Sequence, residues 1–380
     1  MKIVIAIDSF KGSASSNELA LHIQKGIRQV YKESKIIICP IADGGEGTIE
    51  ALSSTDGAKI IGTTCKDPLG YDIQAEYVIL EDKTAVIEMA SASGLTLVPE
   101  SKRDPRITST YGTGDLVKDA IKHGCRKFII GIGGSATNDA GLGMLRSLGF
   151  RFLNSSNQEI TFAKYLDRIV TIDKTEVLKE LDECEFKIAC DVNNPLFGEN
   201  GAAYIYGGQK GADALMIEYL DKQLKAFAAL VEKDTDKKLS LQPGAGAAGG
   251  LGFGFLAFLN SELKSGIKII LEQVKFEDKI KGSHFVITGE GKIDKQSTMG
   301  KVLDGIGTIC KKEGVICIAL TGNCDESVLN IHEIGITSVF SIINSPISLK
   351  EAMNKGNTLK LIQKKSEQIF RLIKTLNNDI

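Results

Sequence analysis

The 380-residue chain has no tryptophan, four histidines, seven prolines and only 6% aromatic residues. The histidines, at 22, 123, 284 and 332, lie far apart and form neither an H-E-x-x-H helix nor a Ser/His/Asp order, so they read as structural. Charge of one sign is also missing: 46 Lys and Arg stand against 48 Asp and Glu, for a net charge of −2. That balance excludes the basic footprint of a nucleic-acid binder. The eight cysteines (39, 65, 125, 184, 190, 310, 317 and 324) make no C-x-x-C pair and no Cys/His spacing of a zinc site, and are expected to be buried and reduced. The opening MKIVIAIDSF has an apolar run of five residues before Asp8, too short for a secretory signal, so a cytosolic location is expected. Residues 239–261 carry no charge and place Gly246, Gly250 and Gly254 at a membrane-packing interval. Six glycines and a proline make that stretch a poor span, however, and no membrane association is expected.

What is present is ordinary in bulk, with 43% apolar and 25% charged residues, which excludes a disordered chain. The exception is glycine, 40 residues against an average usage of about 7%. Apolar runs at 2–7 and 35–39 flank a helical stretch with Leu19, Ile23 and Ile27 on one face, which is a β-α-β unit. The style returns after residue 283, with strands at 284–288, 315–321 and 336–343, a helix over 301–312, and a closing helix that aligns Ile362, Ile369, Phe370 and Ile373. Between these ends, runs at 60–65, 75–80 and 84–89 joined by polar turns predict an antiparallel meander. Helices are predicted over 115–122, 141–148 and 213–232, and strands over 127–132 and 187–191. The fold class expected is α/β. A doubly wound, parallel-sheet domain, residues 1–59 and 281–380, carries an inserted mixed α/β domain, residues 60–280, with the active cleft between them.

In open parallel sheets ligands collect beyond the carboxyl ends of the strands. Three such ends run into polar, glycine-bearing motifs: Asp8 to Ser13 (DSFKGS), Ala42 to Thr48 (ADGGEGT) and Gly289 to Asp294 (GEGKID). Helix caps alone explain one such loop more readily than three. In the inserted part, GIGGSATND at 131–139 follows a predicted buried strand and opens a predicted helix, so its amides and the helix N-terminus suggest an anion site. The acidic residue of a dinucleotide fold is missing from 151–157, G-x-G-x-x-G at 244–249 does not follow a strand, and Gly291-Lys292 continues with Ile293 where a P-loop needs Ser or Thr. Asp191-Val192-Asn193-Asn194-Pro195 offers a carboxylate and two amides for a hydroxyl or a hydrated Mg²⁺, or else an Asx turn before proline. An inventory of carboxylates, lysines and glycine-rich turns suits phosphoryl transfer.

Taken together, DSFKGS at 8–13, ADGGEGT at 42–48, TSTYGTGDL at 108–116, GIGGSATNDAGLGML at 131–145, CDVNNPLFGENGAA at 190–203, QKGA at 209–212, PGAGAAGGLGFG at 243–254 and TGEGKIDKQSTMGK at 288–301 resemble the type 1 glycerate kinases. The resemblance implies ATP- and Mg²⁺-dependent phosphorylation of D-glycerate, with 2-phosphoglycerate favoured over 3-phosphoglycerate. It also implies a discontinuous flavodoxin-like first domain. Ile7 stands where proline is usual, Ala140 and Leu142 replace smaller or more glycine-rich choices, and Val302-Leu303-Asp304 replaces a common Ala-Pro. On this reading Lys11, beside Ser9 and Ser13, takes the glycerate carboxylate, with Asn193 near the substrate and Arg103 and Arg106 in reserve. Asp191 is the expected proton acceptor and Asp8 the second choice. The triphosphate rests on Gly133, Gly134, Ser135 and Asn138, with Gly246, Gly249, Gly250 and Lys292. Asp43, Glu46, Glu290 or Asp294 bridge Mg²⁺. The alternatives are a kinase of another small hydroxy acid and a non-catalytic hydroxy-acid sensor. The partners expected are the small substrate and ATP, and a homodimer is the assembly considered.

Overall fold

A computed structural model describes residues 1–42, 47–233, 238–294, 301–325 and 329–378. The strands in chain order are β1 Lys2–Ile5, β2 Lys35–Ile38, β3 Lys59–Lys66, β4 Asp72–Ile79, β5 Thr84–Glu88, β6 Lys127–Gly131, β7 Arg151–Leu153, β8 Thr171–Asp173, β9 Glu185–Ala189, β10 Ser261–Lys264, β11 Phe285–Ile293, β12 Ile316–Cys324 and β13 Ser338–Ser341. They belong to two compact units, one formed by Met1–Asp43, Glu50–Thr55 and Ser265–Ile380, the other by Gly44–Ile49 and Asp56–Lys264.

The first unit holds a parallel sheet ordered β13-β12-β11-β1-β2. Read within the unit this is the 2-1-3-4-5 order of flavodoxin-like folds, whose ligands sit at the switch point beside the first strand. Ile3, Val4 and Ile5 of β1 are all fully buried, as an interior strand of such a sheet requires. The helix Ser16–Arg28 starts at a capping box made by Ser15 and Glu18 and buries Leu19, Ile23 and Ile27. It packs on the closing helix Lys355–Asn378, where Ile362 and Phe370 are buried as the periodicity predicts. The crossing depends on Gly26: a Cβ there would lie 2.3 Å from the carbonyl oxygen of Gln363. Gly26→Ala is therefore expected to destabilise this unit by about 1–3 kcal/mol through overpacking, despite the better helix propensity of alanine. Chemical denaturation should read this as a lower midpoint.

The second unit contains a six-stranded mixed sheet ordered β10-β9-β6-β5-β4-β3. β3, β4 and β5 pair antiparallel, as the meander predicts, and β5, β6, β9 and β10 continue in parallel. β10 and the short antiparallel pair β7-β8 were not anticipated from the sequence. The core centres on phenylalanines: Phe128 and Phe186 stack at 4.7 Å, and Phe227 meets Phe152 and Phe253 edge-on. The charge-free stretch forms the helix Ala247–Phe258, with Leu251, Phe253 and Phe255 fully buried. It is hydrophobic because it is interior, and no described helix is long and apolar enough to cross a membrane. Six cysteines are buried, Cys190 is half-buried, and Cys324 is exposed, which corrects the expectation that all eight are interior.

Candidate active site

In the first unit, backbone pairing carries β1 onward until the Asp8 amide donates to Gly289 O at 3.0 Å. Asp8 is 7% exposed, and its carboxylate accepts from the Ser9 amide at 2.7 Å. The chain then closes a tight turn, with amides of Ser13 and Ala14 donating to Phe10 O, around Gly12 at φ +76°. Lys11 is left exposed at the tip, and Ser13 shares a 2.6 Å hydroxyl hydrogen bond with Thr358. Beyond the carboxyl ends of β1, β11, β12 and β13 lies a cavity of about 430 Å³. Asp8, Lys11, Glu290, Lys292, Lys301 and Asn323 line its polar side. Lys292 stands 3.8 Å from Asp294, an exposed pair worth little energetically that leaves the ammonium available.

In the second unit, the 131–139 turn follows β6 as predicted, but its anion chemistry differs from the expectation. The helix begins only at Leu142, and its first amides are already occupied by the protein itself. The Asp139 carboxylate, 1% exposed, accepts from the amides of Thr110 (2.9 Å), Gly141 (3.1 Å) and Gly143 (3.1 Å) and from the Thr110 hydroxyl (2.9 Å). That hydroxyl in turn accepts from the Met144 amide at 2.9 Å. Burial pushes the Asp139 carboxyl pKa up, against the pull of these donated bonds. The helix terminus is thus capped from within, which leaves the turn before it as the place with unpartnered amides. There, the amides of Gly133, Gly134, Ser135, Thr137 and Asn138 have no hydrogen-bond partner among the described residues. Gly133 and Gly134 are exposed, and Gly134 adopts φ +71°. The Thr137 hydroxyl and both polar atoms of the Asn138 amide are buried without partners.

Sequence reasoning missed the residue that braces this turn. Lys210 is 1% exposed, and its Nζ donates to Ser135 Oγ at 2.8 Å and to Thr137 O at 2.6 Å. Burial pushes its pKa down to about 7, partly offset by the charge of Asp139. It sits on the short 3-10 turn Gly208–Lys210, which Gly211 ends at φ +96°; a Cβ on Gly211 would come 2.4 Å from Arg103 O. Its motif, QKGA, was the available signal, but a lysine between glutamine and glycine reads as surface.

Other expected site residues are distributed as follows. Asp191 and Asn193 are exposed just past β9, and Asn194 Nδ2 donates to Asn200 O at 2.8 Å. Arg106 is held by a forked pair with Asp104 at 2.8 and 2.9 Å, and Arg103 Nε donates to Val98 O at 3.4 Å. Gly246, Gly249 and Gly250 are buried, and a Cβ would meet Pro195 O at 2.1 Å, Thr137 O at 1.9 Å and Leu196 Cδ1 at 2.6 Å respectively. Asp43 and Glu46 lie outside the described residues. Among the described residues no three His, Cys, Asp or Glu side chains gather as a metal cluster. Glu290 and Asp294 still fit the donor set of Mg²⁺, which keeps most of its waters and takes one or two carboxylates.

Two units, one with a parallel sheet and a cavity lined by lysines and carboxylates at its strand ends, the other with a mixed sheet and a turn of unpartnered amides over a buried lysine, define an α/β protein with polar sites at its strand ends. The profile described as the glycerate kinase family matches residues 3–374. The chain is 45% identical over 355 residues to the glycerate 2-kinase of Escherichia coli K12, covering 93% of each chain. It is 44% identical over 359 residues to the glycerate kinase of Halalkalibacterium halodurans, covering 94% of each. A crystal structure from Salmonella typhimurium LT2, of a protein assigned as glycerate kinase 2, superposes with a TM-score of 0.91 at 37% identity, covering 100% of this chain and 99% of that one. The chain belongs to the glycerate kinase family and is a kinase.

Proposed function

We propose that this chain transfers the γ-phosphoryl group of ATP to the 2-hydroxyl of D-glycerate in the cytosol, giving 2-phosphoglycerate and ADP. The observation that carries the reading is the 131–138 turn, where the amides of Gly133, Gly134, Ser135, Thr137 and Asn138 have no hydrogen-bond partner among the described residues and Gly133 and Gly134 are exposed. Gly133, Gly134, Ser135 and Asn138 take phosphate oxygens, and Lys292 adds a cation. Gly246, Gly249 and Gly250 add a second glycine-rich backbone for the phosphates, and Gly249 lets its own chain pack closely on Thr137 and Asn138 of the turn. Lys11, with Ser9 and Ser13, takes the glycerate carboxylate, and Asn193 orients a substrate hydroxyl.

Phosphoryl transfer asks the protein mainly for position and charge neutralisation. Asp191, or failing it Asp8, accepts the hydroxyl proton as the new O–P bond forms and the bond to the ADP oxygen breaks. Glu290 and Asp294, with Asp43 and Glu46, would hold Mg²⁺, which supplies charge neutralisation on the phosphates when bound. The test couples the product to enolase. With D-glycerate, ATP and Mg²⁺, a signal without phosphoglycerate mutase is expected. A signal only with mutase would show the 3-phosphate, and turnover of tartronate or hydroxypyruvate in preference to glycerate would shift the substrate to another hydroxy acid.

A further inference from the structure

A lysine that is 1% exposed and has no carboxylate within ion-pair distance among the described residues needs a reason, because an ammonium is costly to bury without an opposite charge. Lys210 spends two of its three donors on the turn, at Ser135 Oγ and Thr137 O. Ser135 is 6% exposed and Thr137 fully buried, so the ammonium lies behind the turn and the exposed Gly133-Gly134 amides lie on its open side. The Asp139 carboxylate is the titratable group that faces Lys210, but its hydrogen bonds are committed to Thr110, Gly141 and Gly143. Beside Lys210, Gly211 packs on the backbone of Arg103. The cation is therefore incompletely compensated beside a turn where the amides of Gly133, Gly134 and Ser135 have no partner among the described residues and the Asn138 side-chain amide is unsatisfied.

We propose that Lys210 is a positioning residue for phosphoryl transfer: acting through Ser135 and Thr137, it holds the turn with its amides aimed at one anion and places a positive charge behind them for the phosphates of the nucleotide. This rests on the assignment of the turn to phosphate in the preceding subsection. Its free-state pKa of about 7 gives a linked consequence, since a phosphate close to the turn stabilises the ammonium and draws a proton from solvent.

The test compares Lys210→Met and Lys210→Arg in the full chain. Lys210→Met is expected to raise KM for ATP by at least about tenfold, the scale of a lost charge-assisted contact, while KM for D-glycerate moves by less than about twofold. Lys210→Arg recovers part of that loss. Calorimetric binding of magnesium-saturated ATP, whose phosphates do not titrate near neutrality, is run in two buffers of different ionisation enthalpy. Wild type is expected to take up a proton and Lys210→Arg to take up none, because guanidinium stays charged. An unchanged KM for ATP in Lys210→Met, or equal proton uptake by wild type and Lys210→Arg, overturns the proposal. If Lys210→Met fails to fold, the calorimetric pair still decides. Gly134→Val, strained at φ +71° on the open side of the turn, separates the two levels. A raised KM for ATP there with none in Lys210→Met rejects Lys210 alone. No change in either rejects the phosphate assignment and the proposal with it.

Discussion

Asp191→Asn is expected to lower turnover of D-glycerate by about 10²- to 10⁴-fold, the range typical of losing a general base. The substitution keeps the size of the side chain and removes its negative charge and its capacity to accept the hydroxyl proton. Asp191 lies two residues past the end of β9 and is exposed, so the fold should not register the change beyond about 0.5 kcal/mol. The kinetic signature should sit in kcat, with KM for both substrates nearly unchanged, because a proton acceptor works mainly in the transition state. Steady-state kinetics beside a denaturation curve check both statements. Asp8→Asn is the necessary companion. Asp8 is buried at 7% exposure and lines the 430 Å³ cavity beside Lys11 and Glu290, so it is the other carboxylate suited to the role. Normal turnover in Asp191→Asn with loss in Asp8→Asn would transfer the assignment to Asp8.

The strands that bear motifs were legible because their apolar runs are unbroken. Ile3–Ile5 and Phe128–Ile130 are interior strands, and interior parallel strands advertise themselves. β10 was not legible, since Ser261–Lys264 reads SELK, two charges in four residues, and is only half-buried. β7 and β8 are three residues each, too short for a period to show. At the site, position along the chain was readable and electrostatics was not. The GIGGSATND motif was placed correctly after its strand, but nothing in its letters says that Asp139 caps the following helix, or that Lys210, some seventy residues on, braces it. Those are tertiary facts.

The glycine surplus divides along the same line. At Gly249, Gly252 and Gly254 a Cβ would come within 1.9, 2.2 and 2.7 Å of a carbonyl oxygen, so these glycines let backbone meet backbone. Gly133 and Gly134 are exposed, and bare backbone there is compatible with a ligand. The sequence offers no means to separate the two classes. Ala140 shows the cost of departing from glycine: its φ of +52° is a left-handed conformation that glycine adopts more cheaply.

Asp139→Ala is expected to be the most destabilising substitution at the site, by about 3–5 kcal/mol, the range for breaking a buried charged network from one side. It would orphan the amides of Thr110, Gly141 and Gly143 together and leave Lys210 without its nearby negative charge. Because a two-unit chain need not unfold in one step, a single melting temperature is a poor readout. Hydrogen exchange is better: protection at Gly141, Gly143 and Met144 should collapse, while β1 and β11 of the other unit keep theirs. Asp139→Asn should recover little, since its NH₂ group would face backbone donors. A double-mutant cycle supplies the decisive number. If Asp139 and Lys210 support one turn, Asp139→Ala with Lys210→Met should cost less than the sum of the single changes by about 1–3 kcal/mol, because the second change removes the charge that the first left exposed. Strict additivity would mean that the carboxylate and the ammonium stabilise the turn independently.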